Sequence, residues 1–169
     1  MNRVVMGVVA VLISVAFLAG CAQGSALRPG ERLVYMNAME VKGSTTTDGL
    51  AAPDKNPEEM SKGFAYQKPG DFDKSNPKAW QVSSYMFEPS AVTVFQGDRV
   101  KISMFVINGN KHRDRVEDPD GKVIIPEQER NRGRQYELSF MADKPGVYRL
   151  VCEEHKPTMT ALVTVVPRG

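Results

Sequence analysis

The chain has 169 residues, with 22 Lys and Arg against 20 Asp and Glu, a formal net charge of +2 and an apolar fraction of 41%. That balance creates no strong field toward nucleic acid or an anionic membrane surface, and both signs are mixed along the chain as on a solvated face. Once a leader is set aside, the length and apolar content suit one domain with one modest core.

Residues 1–20 have the layout of a secretory signal. Arg3 supplies the positive start, Val4 to Ala19 is an apolar run, and small residues lead into Cys21. The run is shorter than the ~20 residues a helix needs to span a bilayer. Leu18-Ala19-Gly20-Cys21 resembles a bacterial lipobox. The resemblance implies cleavage before Cys21, lipid on Cys21, and an envelope lipoprotein facing the periplasm. Several acyl chains on one residue anchor durably where one chain binds only marginally. Ala22 after the cysteine leans toward the outer rather than the inner membrane, by similarity to enteric sorting rules.

From residue 21 to 78 no period persists. Glycines at 24, 30, 43, 49, 63 and 70, prolines at 29, 53, 57, 69 and 77, and the polar run Ser44 to Gly49 read as a flexible tether. Such a chain reaches roughly 40 Å. Val34-Tyr35-Met36 and Phe64-Ala65-Tyr66 are the segments able to dock on the domain.

The pattern changes near Trp80, and residues 79–169 read as the folded domain. Gln81 to Met86 is a strand, turned by Phe87-Glu88-Pro89. Ala91 to Phe95 is β-branched and aromatic, followed by the turn Gln96-Gly97-Asp98. Val100 to Ile107 alternates and then becomes wholly apolar, like a central strand, and Asn108-Gly109-Asn110 breaks it. Val123 to Pro126, Tyr136 to Met141, Val147 to Cys152 and Thr160 to Val166 complete the set. No stretch has helical periodicity. The expectation is an all-β Greek-key sandwich or barrel of about seven to eight strands.

The chemistry gathers near the end. The chain has two histidines, His112 and His155, and one cysteine, Cys152, besides Cys21. Cys152-Glu153-Glu154-His155-Lys156-Pro157-Thr158-Met159 places a thiolate, an imidazole and a thioether in one loop between the last two strands. His112 follows the break after an apolar strand and can reach the same end of a sandwich. Two imidazoles, one thiolate and a weak thioether are the donor set of a trigonal copper electron-transfer site. Zinc takes four firm ligands and seldom methionine. Taken singly, Cys152 reads as a core thiol, Met159 as core filler and His155 as a surface residue. Glu153 or Glu154 is an alternative carboxylate donor, and a Cys21–Cys152 disulfide is set aside because lipid occupies Cys21.

On these residues the segment 81–166 resembles the cupredoxin family. The features are Phe87-Glu88-Pro89, Val94-Phe95-Gln96-Gly97-Asp98-Arg99-Val100, the isolated His112, Ala142-Asp143-Lys144-Pro145-Gly146-Val147-Tyr148 and Cys-x2-His-x3-Met. It is also similar to the copper domains of cytochrome oxidase subunit II and nitrous oxide reductase. Their binuclear site needs two cysteines in this loop; here there is one, which implies a single copper ion. The resemblance implies an electron carrier rather than an enzyme, with His155 as the ligand nearest the surface. It also implies a monomer that meets redox partner proteins of the envelope, with no nucleic acid. Lys111, Arg113 and Arg115 give His112 a charged neighbourhood, unlike the apolar docking patch of many blue copper carriers. A copper-delivery module for an envelope oxidase or reductase is the alternative, and a metal-free shell the third reading.

Overall fold

The computed structural model describes residues 28–46, 49 and 63–168; the expected leader and Cys21 lie outside them. Within this range the elements are all strands: β1 (Glu31–Thr46), β2 (Phe64–Gln67), β3 (Ala79–Glu88), β4 (Ala91–Phe95), β5 (Arg99–Val106), β6 (Lys111–Glu117), β7 (Val123–Asn131), β8 (Arg134–Met141), β9 (Gly146–Cys152) and β10 (Thr160–Val166). They form two five-stranded sheets, ordered β2-β3-β1-β5-β8 and β4-β10-β9-β6-β7. The all-β, two-sheet expectation holds, and eight of the ten strands fall in the region read as the domain.

Alternation of side chains about each strand builds the core. Val100, Ile102, Met104 and Val106 of β5 and Leu138 and Phe140 of β8 come from one sheet. Tyr148, Leu150 and Cys152 of β9 and Ala161, Val163 and Val165 of β10 come from the other. All belong to a single buried cluster, so the sheets share one core. Each such aliphatic or aromatic side chain contributes about 1.5–3 kcal/mol by leaving water.

The flexible tether expected over 21–78 is corrected at two places. β1 lies inside its sheet, parallel to β5 from Glu31↔Arg99 to Ala38↔Val106 and antiparallel to β3 from Asn37↔Glu88 to Thr46↔Ala79. β2 pairs with the other edge of β3. The two apolar triplets, Val34-Tyr35-Met36 and Phe64-Ala65-Tyr66, lie in these strands. Burial of Met36 and Ala38 supplies the apolar reason. Asp98 supplies the polar one. Its buried carboxylate accepts hydrogen bonds from the Gly30 amide (3.0 Å), the Phe95 amide (3.1 Å), Arg32 Nε (2.9 Å) and Arg168 Nη2 (2.5 Å). Burial alone would raise this carboxyl, but the bonds from Arg32 and the Gly30 and Phe95 amides outweigh it and hold it far below the usual carboxylate range. The turn at 96–98 therefore pins the start of β1 to the start of β5.

β6 was expected as part of a loop. Its outward residues Arg113, Arg115 and Glu117 alternate with His112, Asp114 and Val116, which point into the protein. Two of three inward positions are polar, which hides the strand from a hydrophobic pattern. β7 is longer than the short run at 123–126 and lies at a sheet edge, with Pro126 in the stretch where its register with β6 shifts, between Ile125↔Val116 and Gln128↔Asp114.

Candidate metal centre

The site forms where β6 meets the end of β9. Asp114 pairs with Cys152 in the antiparallel ladder, so His112, two residues earlier and on the same side of the pleat, is a diagonal neighbour of Cys152. Beyond Cys152 the chain turns sharply. The His155 amide donates to the Cys152 carbonyl (3.3 Å), the Met159 amide to the His155 carbonyl (3.0 Å) and the Cys152 amide to the Met159 carbonyl (3.0 Å). These bonds fold the loop back on itself. The Thr158 hydroxyl reaches the carbonyls of His155 (3.0 Å) and Gly63 (3.2 Å), fastening the loop to the residue before β2.

His112, Cys152 and His155 each present one donor atom, all within 4.8 Å of one another. Cys152 Sγ lies 3.5 Å from His155 Nδ1 and 3.9 Å from His112 Nδ1. Metal–nitrogen and metal–sulfur bonds of about 2.0 and 2.3 Å set trigonal donors roughly 3.5–3.7 Å apart. The sulfur thus already stands from each nitrogen at about the separation one ion requires, and the cluster can hold a metal ion. The tautomer of His112 follows from its other nitrogen. Nε2 lies 3.0 Å from the Asn108 carbonyl, which can only accept, so Nε2 carries the proton and the Nδ1 lone pair faces the sulfur.

The surroundings favour neutral imidazole and oppose a bare thiolate. Burial, and then the nearby His112, lower the His155 pKa, so its lone pair stays free near neutrality. Burial pushes the Cys152 thiol up, while the amides of Arg113, Glu154 and His155 donate toward the sulfur and pull it down. A cation would complete what those amides begin, because a metal ligates the thiolate form. Burial also raises Asp114, against the pull of Arg130, whose Nε lies 3.3 Å from Oδ1.

Of the four expected ligands, the structure brings three together as a donor triangle. Met159 is fully buried in the core, with its carbonyl against the Cys152 amide. His112 and Cys152 are likewise buried, and His155 is half-buried. The cations beside His112 are turned away from it and paired. Arg113 meets Glu154 (2.7 Å) and Glu127 (2.9 Å), and Arg115 meets Glu117 (2.6 Å) and Glu153. Lys156 meets Glu153 at 2.6 Å. Both glutamates weighed as carboxylate donors are engaged in these ion pairs. Cys152 is a free thiol.

Three residues near the site had no role in the sequence reading. Tyr85 stacks on His155, with ring centroids 3.6 Å apart and planes 11° apart. Asn108 holds His112 by its carbonyl. Gly109 has φ +86°, and a Cβ there would stand 2.7 Å from His112 Nε2. Asn108 and Gly109 left a trace in the sequence, in the strand-breaking Asn108-Gly109-Asn110.

No protein-family model and no curated protein matches the chain. Solved structures do. A multicopper oxidase, mgLAC, is 18% identical with a TM-score of 0.48 over 82% of this chain, which spans 40% of the oxidase. Auracyanin A, a blue copper protein of the photosynthetic bacterium Chloroflexus aurantiacus, is 21% identical with a TM-score of 0.40, covering 48% of this chain and 89% of its own. A purple cupredoxin of Nitrosopumilus maritimus is 26% identical with a TM-score of 0.35, covering 48% and 82% respectively.

Proposed function

We propose that this chain is a one-electron carrier of the bacterial cell envelope that would hold a single copper ion through His112, Cys152 and His155, with Met159 as a fourth, weaker donor. The observation that carries the reading is the donor triangle of two imidazole nitrogens and one thiol sulfur, with all donor atoms within 4.8 Å. That set, at a loop closed by the buried Met159, suits copper better than zinc.

Bound copper supplies a reversible one-electron couple. The protein's part is to keep the donors still. His112 and Cys152 are buried on the paired strands β6 and β9, and the loop carrying His155 and Met159 is cross-bonded at 152, 155 and 159. A fixed compromise geometry suits both oxidation states and keeps rearrangement small. His155, the half-buried ligand, is the point of electron exchange with partner proteins. A full set of protein donors leaves no open position for a substrate, which favours carriage over catalysis. Lipid on Cys21 would hold a monomer at the inner or outer membrane, facing the periplasm. The basis for that is the lipobox-like tetrad and the apolar run before it.

Repeated electrochemical cycling in the presence of a Cu(I) chelator tests carriage against delivery. A carrier keeps one copper per chain and a constant potential. Steady loss of Cu(I) to the chelator on each reduction would overturn the reading and point to a copper-delivery module.

A further inference from the structure

We propose that Glu40 is a positioning residue for both histidines, reaching His155 through Tyr85 and His112 through Asn108. The inference rests on the copper reading above and extends it to a strand read from sequence as tether.

His155 lies in a loop and needs support from outside it. A bare imidazole there would sample several rotamers, and each ligand that must be immobilised on binding lowers affinity. The stacked ring of Tyr85 supplies that support. Tyr85 is in turn set beside the Glu40 carboxylate by the strand register, and burial first, then that neighbouring carboxylate, raise its hydroxyl above the ordinary phenol value. Glu40 is the ladder partner of Tyr85 across β1 and β3, so the two side chains leave neighbouring backbones on the same face. The Glu40 side chain is only 13% exposed, and its second contact is Lys42 Nζ at 3.4 Å.

The backbone of the same residue governs the other histidine. The Glu40 amide donates to Asn108 Oδ1 (2.6 Å), and Asn108 Nδ2 donates to the Glu40 carbonyl (3.0 Å). Both ends of the carboxamide are used, which fixes the Asn108 side chain relative to β1. The Asn108 carbonyl then receives the Nε2 proton of His112 (3.0 Å). Gly109, the next residue, leaves room for this approach, since a Cβ there would meet both His112 and the Tyr85 ring (3.4 Å). Two separate routes thus run from one position on β1 to the two nitrogen donors.

The test compares the full chain with Tyr85→Leu, Tyr85→Phe, Glu40→Ala and Glu40→Gln by two readouts. In metal-free protein, proton NMR follows the His155 ring protons, which the facing tyrosine shifts upfield. In copper-loaded protein, the rate of copper loss to a chelator is measured. The upfield shift should vanish in Tyr85→Leu, persist in Tyr85→Phe and shrink in Glu40→Ala. Copper loss should quicken about tenfold in Tyr85→Leu, as when a partner that orients a metal ligand is removed. It should quicken about two- to threefold in Tyr85→Phe and Glu40→Ala, the size of one modest hydrogen bond. Glu40→Gln, whose amide oxygen can accept from the phenol, should return to the parental rate. A parent without the upfield shift, or a Tyr85→Leu protein that releases copper at the parental rate, would overturn the proposal. If no protein takes copper yet the shifts follow this order, the positioning stands and the copper reading fails.

Discussion

Gly109→Ala isolates how tightly the protein packs around a ligand before any metal arrives. Gly109 has φ +86°, where a side chain costs about 1–2 kcal/mol. The new methyl would also stand 2.7 Å from His112 Nε2 and 3.1 Å from Cε1. Ordinary contact begins near 3.4 Å, so the imidazole must retreat by about 0.7 Å in a core packed like a crystal. That retreat strains the bond to the Asn108 carbonyl, worth about 1 kcal/mol, and overpacking adds about 1–3 kcal/mol. The expected total is about 3–6 kcal/mol. Gly121→Ala is the control: its φ is +81° and nothing lies within 4 Å of its Cβ, so only the conformational cost applies. Urea denaturation of both metal-free variants, with copper titration of each, reads the difference. Gly109→Ala should be the less stable by about 2–4 kcal/mol and bind copper at least about tenfold more weakly. Equal stability and equal copper affinity in the two variants would refute the packing argument.

The remaining expectations concern the donors and the buried carboxylate. Cys152→Ser should abolish any intense visible band of the copper-loaded protein, and a variant of undiminished colour would remove the thiolate from the site. Met159→Leu, close in volume at a buried position, should cost less than about 1.5 kcal/mol of stability and keep copper while shifting the reduction potential. Loss of all copper on titration would instead make Met159 indispensable to the site. Asp98→Asn should lower the thermal midpoint clearly at neutral pH. Because the Asp98 carboxyl is depressed in the folded state, its contribution is full above the unfolded value near 4 and fades as pH falls below it. The midpoints of variant and parent should therefore converge in acid; a gap that widens as pH falls would contradict this.

How much was legible depended on where the information lay along the chain. Three donors within Cys152 to Met159, flanked by apolar β-branched runs, reveal a loop between strands and its ligand chemistry at once. His112 was found as the one other histidine, but its strand was not, because β6 turns a histidine and an aspartate inward where a pattern search expects apolar residues. β1 escaped for a different reason. It carries Asn37, Gly43, Ser44 and a run of threonines, and its place depends on a parallel partner 68 residues away and on Arg32 reaching a buried Asp98. The supports of the site were hidden for the same reason. Glu40, Tyr85 and Asn108 belong to separate segments, and nothing in their local spacing says that they meet.

The most direct measurement of the central claim is the visible absorption and EPR spectrum of the purified chain during titration with Cu(II). The account predicts an intense thiolate-to-copper band and a narrow copper hyperfine splitting that saturate together at one copper per chain. A protein that stays colourless and binds no copper would contradict it.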